Sequence, residues 1–333
     1  MIFFYCQSYQ AFNLALALNE RQEVTIITGA TNIRKAAEYL GINYILHDSF
    51  VFKDYVVNRK KVKAEIVKLL HVIGTSELHF SHTQYAVFLF LLVQEGSQQK
   101  LTLKYHNFEV VYNRLSFVFP KTIGQLYLAG YKLCINSLYK TNLLIGESAP
   151  KVSMFCLDLQ RMLAQGVELI DDKGTYFTTT LNYFKNSQPL DFEVNNLFIA
   201  QTFDNSDFYH IDKVNEVLEL LNENSFYIKH HPKIKSNNQV NISKMKKLPD
   251  FLPVEFVFSS VTGKVISFHS ASLITASKFK NIESISLLKI VGKKSAFIEK
   301  AIEDMDYKSE GKILFPQNFN ELLDFLKTST SVK

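Results

Sequence analysis

The stretch MIFFYCQSYQAFNLALALNERQEVTIITG, residues 1–29, decides the fold class of this chain. It opens with an apolar, β-rich run and continues with apolar residues at helical spacing behind Ser8, a typical helix N-cap residue. A second β-rich run then ends at Gly29. Strand, helix and strand in this order predict parallel strands joined by a helical crossover.

The same alternation extends outward from this stretch and then repeats. It continues to about residue 107, and the middle of the chain, residues 110–180, is harder to interpret. A polar, proline-containing stretch, YFKNSQPLDFE at 183–193, predicts a linker, after which NNLFIAQT restarts the alternation. We therefore predict an α/β chain of two Rossmann-like, doubly wound domains, residues 1–185 and 190–333, in the GT-B arrangement with a central cleft.

Composition sets the broad class of protein. Of the 333 residues 47% are hydrophobic and 21% charged, which is typical of globular proteins. The 3 cysteines have neither metal-ligand spacing nor an even count, so we expect a reduced, cytoplasmic protein. No apolar run reaches transmembrane length and the N-terminus lacks a signal-peptide pattern, so we expect neither export nor a membrane span.

Charge and short motifs narrow the ligand class. The net charge of +5 suits an anionic ligand or a membrane surface but is too small to indicate nucleic acid by itself. The basic residues form small clusters, such as Arg59–Lys61 and Lys244–Lys247, that are usually solvated. Neither a GxGxxG motif nor a Walker-type loop is present, which disfavours dinucleotide and ATP binding.

His231 and Pro232 follow the predicted strand FYIKH directly. Ligands of open α/β sheets bind outside the carboxyl ends of strands, and a proline restricts the backbone of the residue before it. A histidine held in this way beside Lys229 and Lys233 could protonate a departing phosphate. An exposed histidine at a strand end is the ordinary explanation of the same pattern.

Two further features follow downstream. Strand KVISF leads into HSAS, where Ser270 and Ser272 would lie beside the free N–H groups of a helix start and could bind phosphate. A plain serine N-cap explains them equally well. Glu255 lies between two apolar segments, where it is either a carboxylate at the rim or an acceptor of bonds from a ribose or base.

The order His231-Pro232, LPVE ending at Glu255, and SFHSAS resembles bacterial sialyltransferases of GT-B type. The resemblance is closest to the lipooligosaccharide sialyltransferases, family 52 of the glycosyltransferases. The opening IFFYCQSYQAFNLALAL also looks like the start of that family. The likeness covers this first turn and about half of the second domain. It departs from the family pattern at Ala271, where the family tends to have a second serine. The next residue, Ser272, could take the place of that serine.

This resemblance implies an inverting, metal-independent transfer of a nonulosonic acid from its CMP-activated form, without a cofactor. His231 would be the general acid on the CMP phosphate, Ser270 and its neighbours would bind that phosphate, and Glu255 would contact the cytidine. Lys229 and Pro232 complete the predicted donor-binding set. The first domain would bind the acceptor and the second the nucleotide sugar.

The resemblance to family 52 implies a catalytic aspartate just after the first strand of the second domain, so the base is assigned to the segment FIAQTFDNSDFY. The segment offers Asp204 and Asp207, and we favour Asp207. An Asx turn with a helix N-cap would explain one of the two aspartates. The acidic Asp-Gly motif that related sialyltransferases carry after a first-domain strand is absent, since the corresponding strand ends in His106-Asn107.

Two other polar pairs receive less weight. His79 and His82 flank a strand end and could line the acceptor side of the cleft, although strand-end polarity explains them as well. Asp304 and Asp306 have the spacing of a metal-binding DxD motif but lack neighbouring carboxylates in sequence, so we interpret them as surface charge.

The predicted protein is thus a cytoplasmic sialyltransferase-like enzyme that transfers sialic, pseudaminic or legionaminic acid. Its acceptor would be a sugar of a capsule or lipooligosaccharide, lipid-linked at the inner leaflet, which the basic clusters could approach. Nucleic acid is not an expected partner, and the sequence does not indicate the oligomeric state. The alternatives are a CDP-polyol phosphotransferase, a CMP-Kdo transferase, and a non-catalytic relative that binds a nucleotide or glycan.

Overall fold

The structure is a computed structural model that describes residues 1–81, 87–107, 166–171, 175–187, 190, 193–200, 208–230 and 245–327, with single residues between 127 and 138. The chain divides into two compact units, Met1–Thr180 and Leu181–Lys333. The roles predicted for the two domains, acceptor binding and nucleotide binding, stay predictions.

The first unit contains one parallel sheet of six strands in the order β3-β2-β1-β4-β5-β6. The strands are β1 (Ile2–Tyr5), β2 (Val24–Thr28), β3 (Tyr44–Leu46), β4 (Glu77–Ser81), β5 (Thr102–Asn107) and β6 (Glu168–Asp171). The helices described are α1 (Tyr9–Asn19), α2 (Thr31–Tyr39), α3 (Asp54–Val57), α4 (Arg59–Ile73) and α5 (Val87–Gln98); α6 (Tyr176–Asn186) begins in this unit and ends in the next.

The opening stretch forms the centre of this sheet, as its pattern predicts. Every residue of β1 and β2 is buried, as expected for parallel strands covered on both faces. Helix α1 begins after Ser8, whose Oγ accepts a hydrogen bond from the N–H of Ala11 at 3.2 Å. The N-cap read from the sequence is therefore present.

The second unit repeats the architecture. Its sheet has the order β12-β11-β10-β7-β8-β9, and all its strand pairs are parallel. The strands are β7 (Leu197–Ile199), β8 (Tyr227–Lys229), β9 (Lys246–Lys247), β10 (Lys264–Ser267), β11 (Glu283–Ser286) and β12 (Ile313–Leu314). The helices described are α7 (Ile211–Glu223), α8 (Val254–Phe258), α9 (Ala271–Ala276), α10 (Leu288–Val291), α11 (Ala296–Ser309) and α12 (Phe319–Lys327).

Numbered from its own first strand, each sheet has the order 3-2-1-4-5-6, which is the order of a dinucleotide-binding Rossmann fold. The predicted fold class is therefore confirmed: the chain is α/β and contains the two doubly wound domains that a GT-B fold combines. The cleft predicted between the domains stays a prediction. In each sheet the direction of winding reverses between the first and the fourth strand, which are β1 and β4 in the first unit and β7 and β10 in the second.

The stretch predicted as a linker differs from the prediction at its start. Helix α6 runs to Asn186, so the first residues of the stretch are helical. Phe184 is buried, and the rings of Tyr183 and Phe184 lie 5.9 and 5.0 Å from the ring of Phe256. The reason is that this aromatic pair contributes apolar surface to the core of the second unit, which outweighs the polar residues around it.

Candidate functional site

The candidate site lies at the carboxyl edge of the second sheet, where β8, β7 and β10 end side by side. The reversal of winding falls between β7 and β10, and ligands of doubly wound sheets bind at such a point. Lys229 is the last residue of β8 and is paired with Ile199, the last residue of β7. The topology therefore brings the residues around Lys229 and those after Ser267 of β10 to the same edge.

Two buried serines fix the strand ends at this edge. The Oγ of Ser267 donates to the carbonyl of Ile199 at 2.9 Å, and the Oγ of Ser286 donates to the carbonyl of Phe268 at 2.6 Å. Both serine side chains are completely buried. Buried hydroxyls held in this way tie β10 to β7 and to the end of β11, so the start of the segment Phe268–Ser270 has a fixed position.

Lys229 has an unusual environment for a lysine, since it is only 3% exposed. Its Nζ donates to the carbonyl of His230 at 3.2 Å and to the carbonyl of Asp250 at 3.1 Å. Burial lowers the pKa of the Lys229 amine to about 8, while the carboxylates of Asp250 and Glu255 act in the opposite direction. The ammonium group is thus bonded to backbone carbonyls, and its predicted contact with a donor stays a prediction.

His230 follows Lys229 and is half-buried. Burial lowers the pKa of its imidazole; Asp250 raises that pKa, whereas Lys247 and Lys229 lower it further. Its Nε2 is buried and has no hydrogen-bond partner among the described residues. From the sequence, His230 is expected to be a neighbour of the candidate acid without a chemical role of its own. The two predicted residues that follow, His231 and Pro232, lie outside the described residues.

Glu255 lies in the first turn of α8, which begins after Pro253. Its side chain is half-buried, and its carboxylate is close enough to the ammonium group of Lys229 to raise the pKa of that group. The structure therefore brings Glu255 near Lys229, although the two residues are 26 positions apart in the sequence.

Ser270 is the N-cap of α9, and its Oγ accepts a hydrogen bond from the N–H of Ser272 at 3.2 Å. Both serines are half-buried. The ordinary explanation of Ser270, a helix cap, is thus present in the structure. Helix α9 has six residues, so its dipole alone offers little to an anion, and any phosphate binding depends on the hydroxyls and N–H groups.

The segment that carries the predicted base, Asp204 and Asp207, lies outside the described residues. The residues before and after it are held at the same edge. The N–H of Ala200 donates to the carbonyl of Lys229 at 3.0 Å, and the N–H of Lys293 donates to the carbonyl of Phe208 at 2.9 Å.

His269 lies between β10 and Ser270 and was not assigned a role from the sequence. It is half-buried, and its ring meets the ring of Phe297 edge to face at 6.1 Å. Burial lowers the pKa of His269, against the attraction of Asp304. The signal that could have identified it is its place in HSAS, directly after a strand at the point where winding reverses.

Residues 145–289 match the family model described as alpha-2,8-polysialyltransferase. The matched range is less than half of the chain, and it contains every predicted site residue, from Asp204 to Ser272. The match supports a glycosyltransferase. It does not test the donor sugar, the stereochemistry or the resemblance to family 52. A search of the curated proteins found no match to the chain.

Solved structures similar to the chain include three with different activities in their names. The E. coli heptosyltransferase WaaC with ADP is 11% identical and has a TM-score of 0.42, covering 98% of both chains. The glycosyltransferase SnogD from Streptomyces nogalater is 9% identical with a TM-score of 0.43, covering 98% of this chain and 90% of its own. A Listeria monocytogenes protein described as a UDP-N-acetylglucosamine 2-epimerase is 10% identical with a TM-score of 0.46, covering 100% and 92%. Likenesses at this level indicate no donor or acceptor.

The carboxyl edge of the first sheet has a polar and aromatic cluster that the sequence did not reveal. The Nε2 of Gln7 donates to the Oη of Tyr5 at 3.0 Å and lies 3.2 Å from the Nε2 of His47. The ring of His47 stacks on Phe88 with 4.3 Å between the centroids. A Cβ atom at Gly29 would come within 2.6 Å of the His47 ring, so this glycine allows the close approach.

His79, for which the sequence allowed either a place at the acceptor side of a cleft or ordinary strand-end polarity, is buried within β4. Its Nε2 lies 2.8 Å from a carboxylate oxygen of Glu77, and its Nδ1 lies 2.9 Å from the Nε2 of His106. Burial lowers the pKa of His79 to about 4, against the bond to Glu77. A role of His79 at the acceptor side of a cleft stays a prediction, and His82 lies outside the described residues.

The described residues also bear on metal binding and membrane insertion. Among them, no three histidine, cysteine, aspartate or glutamate side chains are grouped so that they could hold a metal ion. No helix in this part of the chain combines the length and the apolarity that crossing a membrane requires.

Proposed function

We propose that this protein is an inverting, metal-independent glycosyltransferase that moves a nonulosonic acid from its CMP-activated form to a sugar of a bacterial surface glycan. The nonulosonic acid is sialic, pseudaminic or legionaminic acid, and the glycan is a capsule or a lipooligosaccharide. The observation that carries this proposal is the polysialyltransferase match, because it includes all the predicted site residues. The described members of that set lie at the edge where a Rossmann-like sheet binds its ligand.

In the proposed reaction the bond between the anomeric carbon and the CMP phosphate breaks. His231 protonates the departing phosphate, and Ser270, with Ser272 in place of a second serine, binds its oxygens. Glu255 accepts hydrogen bonds from the cytidine ribose or base, which orients the nucleotide. With the nucleotide held in place, the anomeric carbon moves away from the phosphate oxygen and towards the acceptor oxygen.

The acceptor hydroxyl attacks from the face opposite to the phosphate and loses its proton to a carboxylate, for which we propose Asp207 with Asp204 as the second choice. Inversion follows from this single displacement. The chemistry of the proposed donor needs no further cofactor, since the CMP group itself is the leaving group.

The proposed acceptor is an oligosaccharide or a lipid-linked glycan at the cytoplasmic face of the inner membrane. The exposed face of α4 carries Arg59, Lys60 and Lys63, which make no ion pair with other described residues. Such a basic face favours contact with anionic lipid. We therefore propose a cytoplasmic protein that contacts the membrane peripherally.

The function is tested by incubating the full chain with CMP-activated sialic, pseudaminic and legionaminic acids and a set of surface-glycan acceptors. We expect release of CMP that depends on the acceptor, without added metal and in the presence of a chelator. His231→Ala should lose at least about 100-fold in kcat, since a general acid contributes about 10²–10⁴-fold, and should keep its affinity for CMP. His71→Ala is the matched control, because His71 is exposed on α4 in the first unit.

Each competing function predicts a different result in the same assay. Turnover of CDP-glycerol instead of CMP sugars would show a polyol phosphotransferase, and turnover of CMP-Kdo alone would show a Kdo transferase. Binding of CMP without turnover of any donor, unchanged in His231→Ala, would show a non-catalytic relative. Any of these three results would contradict the proposed function.

A further inference from the structure

Lys229 connects two parts of the second unit that are separate in sequence. Its ammonium group bonds the carbonyl of His230, at the end of β8, and the carbonyl of Asp250, in the loop that leads to α8. The first part continues directly into His231, and the second reaches Glu255 within five residues. One buried amine therefore fixes the relative position of the strand end and of the loop that together carry the proposed acid and the proposed cytidine contact.

The charges around this amine make its protonation state sensitive to a ligand. Among the described residues, the carboxylates of Asp250 and Glu255 raise the pKa of Lys229, and Lys229 in turn lowers the pKa of the adjacent His230. Burial opposes the positive charge and lowers the pKa of the amine to about 8, so a further negative charge nearby would favour the protonated form. A phosphate monoester such as CMP brings close to two negative charges at this pH.

We propose that Lys229 is a positioning residue of the donor site that must be protonated for the site to bind its nucleotide, so that binding of CMP takes up a proton. This inference rests on the proposed function, because that function places CMP at this edge. It assigns to Lys229 a role through the backbone of His230 and Asp250 in place of a direct contact with the donor.

The direction of the pH effect follows from linkage. Above pH 8 the amine of the free protein is increasingly neutral, and CMP must bind together with a proton. The Kd for CMP should therefore rise with pH above 8, approaching about tenfold per pH unit until the pKa of the complex is reached. The adjacent His230 does not titrate in this window, since burial lowers its pKa from 6.5.

The experiment is calorimetric titration of the full chain with CMP from pH 7 to 9.5 in buffers of different ionisation enthalpy. The wild type should take up a large fraction of one proton near pH 8.5. Lys229→Arg keeps a positive charge at every pH used, so it should bind CMP without proton uptake and with a Kd that is flat across this range. Lys229→Met should bind CMP at least about tenfold more weakly at pH 7 and should also lose the pH dependence.

Lys246→Met is the matched control. Lys246 is exposed on the neighbouring strand β9, where its Nζ donates to the Oη of Tyr227 at 2.9 Å. This variant should keep the wild-type proton uptake.

The inference is overturned if the wild type binds CMP without taking up a proton, or if Lys229→Met keeps the wild-type pH profile. If the wild type binds no CMP at any pH, the proposed donor itself is wrong. The wild-type measurement needs no variant, so a folding defect in Lys229→Met does not remove the test.

Discussion

At the scale of single residues, Ser270 shows how one hydroxyl can serve the fold and the proposed site together. As an N-cap it accepts from the N–H of Ser272, and as a phosphate ligand it would have to donate its own proton. The two roles use different parts of the hydroxyl and are compatible. We therefore expect Ser270→Ala to lower the free energy of unfolding by about 1 kcal/mol through loss of the cap and also to weaken CMP binding by about tenfold.

Ser272→Ala separates these two effects. Ser272 contributes its backbone N–H to the cap, which alanine retains, so we expect unchanged stability in urea unfolding. Weaker CMP binding in this variant would support Ser272 as the substitute for the family's second serine. Unchanged CMP affinity in Ser270→Ala, with the expected loss of stability, would leave Ser270 as a helix cap only.

The sequence could predict the cap at Ser270 but not the burial of Lys229. A serine before a helical pattern is a local signal, and the structure confirms the cap. The environment of Lys229 depends on the carbonyl of Asp250, which lies 21 positions further along the chain. Nothing in the local pattern of FYIKH indicates that contact, so the sequence placed Lys229 in the donor-binding set without indicating that its side chain is buried.

At the scale of elements, β4 and β5 are joined by buried side chains as well as by their backbones. His79 is neutral because burial lowers its pKa to about 4, and its bond to the carboxylate of Glu77 places the proton on Nε2. The Nδ1 of His79 then accepts from the Nε2–H of His106. One arrangement of protons thus satisfies the whole row, and protonation of His79 would break it.

This row predicts a loss of stability in mild acid. In the unfolded chain His79 binds a proton below its ordinary pKa of 6.5. In the folded chain His79 stays neutral until the pH falls to about 4. The free energy of unfolding should therefore fall by about 2 kcal/mol from this group between pH 7.5 and pH 5. Urea unfolding of the wild type and of His79→Gln at a series of pH values measures it, since glutamine can keep both hydrogen bonds and does not titrate.

His71→Gln is the control for this prediction, because His71 is exposed on α4. It should keep the wild-type slope of stability against pH, whereas His79→Gln should have a smaller slope. An equal slope in the wild type and in His79→Gln would show that His79 does not titrate as its burial implies.

The order of elements was predictable because strands and helices carry different apolar patterns. Buried strands are short continuous apolar runs, helices have apolar residues at helical spacing, and both halves of the chain alternate the two patterns. The linker was misplaced by a few residues for a physical reason. Tyr183 and Phe184 lie among polar residues in the sequence, and their rings pack against the ring of Phe256, far along the chain. Local polarity predicts exposure, whereas the actual contact is long-range.

At the scale of the whole molecule, the two units share the strand order 3-2-1-4-5-6 without any repeat visible in the sequence. The order of strands in a sheet depends on the handedness of the crossover connections and on which strands lie in the middle of the sheet. The pattern of apolar residues along the sequence constrains that order only weakly. The candidate donor site is a consequence of that order, since it brings the ends of β8, β7 and β10 together. The motifs suggest the chemistry from the sequence alone. That the motifs lie at one edge of the sheet can be seen only from the order of the strands.

The net charge of +5 gives the last prediction, because part of it is concentrated on one face of the first unit. Helix α4 presents the cations Lys60 and Lys63, together with Val67, which is 51% exposed, and a cation near an anionic bilayer contributes about 1 kcal/mol. Reversing both charges in Lys60→Glu/Lys63→Glu should weaken binding to vesicles containing anionic phosphatidylglycerol at least about tenfold in co-sedimentation at low salt. The control Lys280→Glu/Lys300→Glu changes the net charge equally on exposed residues of the second unit and should bind nearly as the wild type does. Equal losses of binding in the two double variants would mean that only the total charge of the protein matters. If the wild type bound neutral vesicles as well as anionic ones, the proposed contact with anionic lipid would be wrong.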